Sequence, residues 1–332
     1  MQNKHLFSLL AFTMLASCTV GPDYERPQFY PDAEVAKNLK LEQAEASPVG
    51  QDWYKQFNDP ALNRLIERAW AASPNVRIAV HKLREARYGL LRSNVQSFPM
   101  LDINAGYNYD RSSRDIGFSI DRDYYQLGMD ASWELDIWGG NRRAAEASRA
   151  LFEAAGANLD NVRLVMAAEV ANNYISLRTA QEQLRVAREN LKLQQEIYQL
   201  VQQKYDVGLT DFIALNQAQY AVESTKTLIP QLESEIEAYK NAVAVLLGVL
   251  PDDLAGTLDN TADNLVRRRL SYNLKQLYRL RVDVIRNRPD VRLAEQNLIA
   301  QNAAVGEAVA NLYPDVSISG FVGWQSGKIA GL

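Results

Sequence analysis

Two histidines and one cysteine in 332 residues leave little from which catalysis could be built. A zinc site needs several converging Cys, His or carboxylate ligands, and a nucleophilic centre needs a thiol or hydroxyl beside a base. His5 falls in the first few residues and His81 on an amphipathic helical pattern with no partner types around it. The 40 Asp and Glu are mostly interspersed with the 36 Lys and Arg on helical faces, where solvated ion pairing is the ordinary role. Enzyme activity is therefore not expected, and no catalytic, metal or cofactor residue is assigned. A net charge of −4 calls for no nucleic acid partner. The side chain with a distinct chemical opportunity is the lone Cys18.

Lys4 and His5 precede an apolar run over residues 6–16, the n-region and h-region of an export signal that is too short to span a bilayer. The run closes on Leu15, Ala16, Ser17 and Cys18, which resembles the lipobox of bacterial lipoproteins. That resemblance implies removal of residues 1–17 and acylation of Cys18; a chance cysteine after an ordinary signal is the alternative. By the sorting rule of such lipoproteins, Thr19 rather than Asp after the cysteine implies delivery to the outer membrane. Each buried methylene of an acyl chain contributes about 0.8 kcal/mol, so several chains anchor the protein firmly in lipid.

The elements that must carry this anchor follow in order. Residues 18–56, with Pro22, Pro27, Pro31 and Pro48, read as an extended arm. Asp59 and Pro60 open a helix bearing Leu62, Leu65, Ile66 and Ala69, and Ser73 and Pro74 repeat the cap-then-proline signature before a helix that Pro99 ends. The period then changes to two. Leu101, Ile103, Ala105, Tyr107 and Tyr109 alternate with polar residues or Gly, and after a polar loop over residues 111–122 the alternation resumes from Tyr125 to Ile137. Such strands suit a transmembrane barrel, apolar toward lipid and polar toward a wet lumen, although a hairpin on a soluble sheet has the same period.

Gly139 and Gly140 lead into a heptad helix expected over residues 141–205. Val170, Leu177, Leu184, Leu191, Tyr198 and Tyr205 are seven apart, and Val186, Leu193, Leu200 and Val207 form a second row. Two rows predict two neighbours. At 1.5 Å per residue the helix would reach about 95 Å. Val207, Gly208, Leu209, Thr210 and Asp211 make a tight turn, after which a second heptad helix runs to about residue 250, with a phase slip and kink expected at Pro230. Arg267, Arg268 and Arg269 read as a solvated helix end within the segment that follows, residues 251–280.

Moved by 215 positions, the sequence meets itself: Pro74 on Pro289, Val76 on Val291, Leu83 on Leu298, Pro99 on Pro314 and Ile103 on Ile318. Residues 57–280 thus form a first repeat, with a hairpin at 101–137 and a helical hairpin at 141–250, and residues 281–332 begin a second. A complete second repeat would need roughly 135 further residues, so the chain is expected to be a C-terminal truncation of a longer parent.

These motifs together resemble the outer-membrane factor (TolC-like) family of efflux channels, in its NodT-type lipoprotein branch. They are Cys18 with Val20, Gly21, Pro22, Asp23, Tyr24, Arg26 and Pro27; Trp53, Phe57, Asp59, Pro60 and Leu62; Trp133 through Asp136, Trp138 and Gly139; and Arg288, Pro289, Asp290, Ala294, Glu295, Gly306 and Pro314. The resemblance implies a mainly α fold with transmembrane β: a long coiled-coil helical barrel below a shared outer-membrane β-barrel, with internal duplication. It further implies a homotrimer docked to a periplasmic adaptor and an inner-membrane pump, with Val207, Gly208, Leu209 and Thr210 as the adaptor-contacting tip. The family's acidic constriction ring would fall beyond residue 332, so no gate residue is named. A passive exit duct is the leading reading. A coiled-coil spacer lipoprotein without channel activity would need neither the alternating strands nor the repeat, and a barrel-bound enzyme would need a converging site.

Overall fold

The computed structural model describes residues 19–27, 52–111, 115, 121–259 and 287–331; Cys18, the leader, the rest of the arm and the basic triplet lie outside the described residues. The chain forms two compact units. One joins Met1–Phe29, Lys82–Ala157 and Asp290–Leu332, the other Tyr30–His81 and Asn158–Pro289.

In the first unit, β1 (Met100–Arg111), β2 (Asp121–Leu135) and β3 (Val316–Ser326) form an antiparallel sheet in the order β1-β2-β3. The register sets Leu101 opposite Ala131 and Ile103 opposite Met129, then Leu127 opposite Trp324 and Met129 opposite Val322. Because side chains alternate, all of these share one face, while Asp102, Asn104, Gln126, Asp130, Ser132, Ser317 and Ser319 share the other. Tyr107 and Tyr125 meet on the apolar face with ring centroids 5.1 Å apart. That face is bare: Ile103 is 77% exposed. In water this would be an adhesive patch, whereas lipid is its natural solvent. Among the described residues no helix is long and apolar enough to cross a membrane. The strands, of 12, 15 and 11 residues, are long enough.

The strand ends differ from expectation, each for a local reason. β2 stops at Leu135 and not Ile137, because Asp136 leaves the ladder to accept the backbone N–H groups of Asn141 and Arg142, both at 3.1 Å. A carboxylate there satisfies orphan donors at the start of a helix. At the opposite end the ladder runs into the expected loop, reaching Asp121 with Asp110 opposite Arg122. Unlike charges directly across a sheet support pairing.

In the second unit, α1 (Pro60–Ala72) starts as expected: Asp59 Oδ1 accepts from Ala61 N at 2.8 Å and Leu62 N at 3.1 Å. α2 (Pro74–Val95) follows, but Ser73 does not cap it through its hydroxyl, which is buried and unpartnered among the described residues. The backbone of Ser73 instead closes α1, donating to Ala69 O at 2.9 Å. The arm is not extended as far as residue 56 either. Trp53–Phe57 is a 3-10 turn that buries Tyr54 edge-on to Trp70, centroids 5.5 Å apart.

The long helix is α3 (Gly140–Asp206), 67 residues, and it returns as α4 (Phe212–Leu247). Of the first heptad row, Val170 and Leu177 are fully buried and Leu184 nearly so, whereas Leu191 and Tyr198 are half-buried and Tyr205 is exposed toward the tip. The second row is uncovered: Val186, Leu193, Leu200 and Val207 are all exposed. α4 corrects the expected phase slip. Leu215, Val222, Ile236 and Val243 are buried and Ile229 is packed on the core, so one seven-residue seam passes straight through an unbroken helix. Pro230 lies on the exposed face, where water can satisfy the carbonyl its missing N–H leaves free. The duplication is structural as well: α6 (Pro289–Ala310) and α2 each have 22 residues, start 215 positions apart and lead into β3 and β1.

One buried polar contact ties this unit together. Tyr174 donates its hydroxyl to Asp59 Oδ2 at 2.9 Å, and Arg178, lying 4.8 Å from the Tyr174 ring centre, donates to Leu258 O and Thr257 O at 3.0 and 3.2 Å. The two acceptors belong to a short helix, α5 (Ala255–Leu258). Burial, partly opposed by Arg178 and reinforced by Asp59, pushes the Tyr174 phenol up to about 12. The folded value is raised above the unfolded one. The stabilisation is therefore complete below pH 10 and disappears as pH climbs toward about 12, amounting to about 2–3 kcal/mol. Unfolding midpoints measured across this window should fall for the wild type. Tyr174→Phe should already be less stable by about 1–3 kcal/mol at neutral pH and show a flatter alkaline limb.

Candidate functional site: the helix tip and the docked arm

Residues 207–210 are brought together in one turn at the end of the α3–α4 hairpin. Leu209 N donates to Lys204 O at 2.8 Å and Gly208 N to Tyr205 O at 2.9 Å, the paired bonds of a Schellman closure. Gly208 supplies the left-handed residue, φ +78°. Asp211 then caps α4, its carboxylate accepting from Ala214 N at 2.9 Å, so the cap that Thr210 or Asp211 could have provided comes from Asp211. The turn presents Val207 at 69% and Leu209 at 76% exposure, flanked by exposed Phe212 and Ile213. Tyr205 and Phe212 brace its two sides, ring centroids 6.2 Å apart. No catalytic geometry exists here. What the tip offers is a small apolar knob on a hydrogen-bonded frame.

Cys18 lies outside the described residues, but its successors are well placed. Val20 N donates to Trp138 O at 3.1 Å, and a Cβ on Gly139 would lie 2.9 Å from Thr19 Cα, so the arm begins pressed against the turn between β2 and α3. Arg143, buried, donates through Nε to Val20 O at 3.2 Å, through Nη2 to Gly21 O at 3.3 Å and Asp23 Oδ1 at 2.7 Å, and through Nη1 to Glu146 Oε2 at 2.8 Å. Burial disfavours its charge, but Glu146 and Asp23 outweigh that and push the guanidinium above its ordinary value. Gly21, at φ +90°, runs so close to Gly306 that a Cβ would strike the Gly306 Cα. A Cβ on Gly306 would in turn lie 2.8 Å from Arg143 Nε. Farther along, Arg26 forms a two-pronged pair with Glu295 at 2.5 and 2.9 Å, Tyr24 donates to the same carboxylate at 3.3 Å, and Asn302 donates to Pro22 O at 3.0 Å.

Sequence motifs named Gly21, Tyr24, Arg26, Glu295 and Gly306 separately; the fold shows that they touch. Arg143 was missed. A signal was available, since Arg142 and Arg143 in the first turn of a helix oppose its dipole and so need local anions. Asp136 answers the first, and Asp23 and Glu146 the second.

A two-faced antiparallel sheet joined to a long heptad hairpin defines a TolC-like outer-membrane channel subunit, its strands in the outer membrane and its helices extending into the periplasm. Comparison with known proteins makes this specific: residues 65–249 match the model of the family described as Outer membrane efflux protein, and the chain belongs to that family. It is 28% identical over 336 residues to the probable outer membrane lipoprotein SilC of Salmonella typhimurium, covering 98% of this chain and 69% of that one. It is 26% identical to nodulation protein T of Rhizobium leguminosarum bv. trifolii over 97% of this chain and 66% of that one. Among solved structures, the outer-membrane channel OprN superposes with a TM-score of 0.79 at 34% identity, over 94% of this chain and 69% of OprN. The chain thus spans about two thirds of the length of these relatives.

The tip geometry separates backbone from side-chain effects. Nothing lies within 4 Å of a Cβ at Gly208, so Gly208→Ala should cost only the backbone conformation, about 1 kcal/mol, and Asp211→Ala about 1 kcal/mol through the lost cap. Hydrogen exchange should quicken at residues 204–214 in both variants, with the rest of α3 unchanged.

Proposed function

We propose that the protein serves as the outer-membrane component of a tripartite efflux system, a passive duct for solutes delivered by an inner-membrane pump through a periplasmic adaptor. Complete subunits assemble as a homotrimer around one shared β-barrel. The helix tip Val207, Gly208, Leu209 and Thr210, with Val207 and Leu209 as its exposed knob, receives the adaptor. Cys18, acylated after removal of residues 1–17, tethers the arm to the outer membrane. The observation that carries this reading is the sheet, apolar on one face and, Phe321 apart, polar on the other, with edges at β1 and β3 that are open among the described residues and call for further strands. A spacer lipoprotein would explain the heptad hairpin and leave that sheet without a purpose. The exposed residues of the second heptad row above the tip, Val186, Leu193 and Leu200, support assembly too, because they fit a neighbouring helix of another hairpin.

Protein extracted from outer membranes and added to a planar bilayer should pass steady single-channel current; a spacer would pass none. Val207→Asp with Leu209→Asp should leave that current and the amount of protein unchanged while abolishing efflux in cells, since both side chains are exposed and only a docking surface needs them. Mass spectrometry of the N-terminal peptide should find acyl groups on Cys18, absent after Cys18→Ser.

A further inference from the structure

α6 has little of its own with which to hold its place. Its buried positions are Ala300, Ala303, Gly306 and Ala310, none carrying more than a methyl, so apolar burial fixes it weakly. It must nevertheless deliver β3 to β2 in one register. Alternation alone cannot choose that register. A slip by one residue would turn Ile318, Val322 and Trp324 to the polar face and is excluded, but a slip by two leaves every side chain on its proper face.

The arm supplies what the strand lacks. On one side, residues 20–26 are held by Arg143 and by Trp138 O; on the other they hold α6, through Pro22 O to Asn302, Arg26 and Tyr24 to Glu295, and Gly21 against Gly306. The same Trp138 stacks on Tyr313, centroids 4.5 Å apart, and donates to Pro314 O at 3.1 Å, two residues before β3 begins. We propose that residues 20–26 act as a clasp, in which docking of the arm on Arg143 and Glu295 locks α6 and thereby selects the register of β3 on β2. Arg143 is a positioning residue: it reads two arm carbonyls and Asp23, which an arm out of place could not offer together. The clasp couples the end of the chain that carries the lipid-anchor motif to the strand entering from the second repeat, and it does so whatever the channel conducts.

The test traps the register directly. In protein extracted from outer membranes, Ala131→Cys should crosslink to Gly320→Cys, its observed partner, and not to Val322→Cys, two residues away. Breaking the clasp with Arg143→Gln removes three charge-assisted bonds to the arm and should raise hydrogen exchange of residues 20–26 by about tenfold or more, since tenfold corresponds to the loss of only one such contact. It should also let the 131–322 crosslink form. Should Arg143→Gln fail to fold, the pair of exposed Arg26 and half-buried Glu295 decides: Arg26→Glu and Glu295→Arg singly should admit the 131–322 crosslink, and the double exchange should suppress it again. An arm that exchanges freely while 131 still crosslinks only to 320 overturns the proposal. So does a double exchange that fails to restore the register its single variants lost.

Discussion

The constraint on which the structure depends is that a strand in lipid must find a partner for every backbone N–H and C=O. Among the described residues β2 has partners on both edges, β1 and β3 on one each. In water the free edges could be hydrated; in hydrocarbon each open group costs several kcal/mol. The exposed apolar face of Leu101, Ile103, Met129 and Trp324 says which solvent applies. Lipid on one side and unpaired edges at both ends together force the sheet to continue into other strands. Closure of a barrel is therefore a demand of the backbone and not of any particular side chain.

Duplication meets that demand economically in sequence. α2 with β1 and α6 with β3 are the same unit at an interval of 215 residues, and β2 accepts a strand from each. Two copies placed either side of one strand need a device that tells them where to stop, because period-two patterning is blind to even slips. The aromatic contacts at the sheet's base do part of this. Trp133 donates to Ser97 O just ahead of β1, and Trp138 donates to Pro314 O just ahead of β3, so the approach to each of the two strands is gripped by a tryptophan, although not at equivalent positions of the repeat.

Periodicity was what the sequence made legible. Strand faces, the extent of the long helix, the Asp59 cap and the Gly208 turn are set by residues close in the chain, and they stand where pattern placed them. The errors arose where distant residues decide. Asp136 reads as a polar strand position until the helix it caps is in place, and Ser73 reads as a cap although its hydroxyl is buried and unused. Pro230 reads as a break only if its face is ignored, because a proline on the solvated side leaves the buried seam in phase. Beyond the anion that its place in a first helical turn calls for, the role of Arg143 could not be read, because three of its acceptors are two carbonyls and a carboxylate some 120 residues away, and main-chain acceptors have no sequence signature.

Stability and contact are carried by different parts of the helical unit. Near Tyr174 the side chains of Asp59, Arg178 and Gln181 are tied into buried hydrogen bonds, and a change there costs folding free energy. At the tip the turn is closed by main-chain bonds, a glycine and one cap, none of which involves the side chains of Val207 or Leu209. Those two residues carry no folding duty, so their identity can follow the shape of a partner without cost to the hairpin. An apolar pair kept in water at such a position has no explanation among the described residues; the docking role proposed for the tip would supply one.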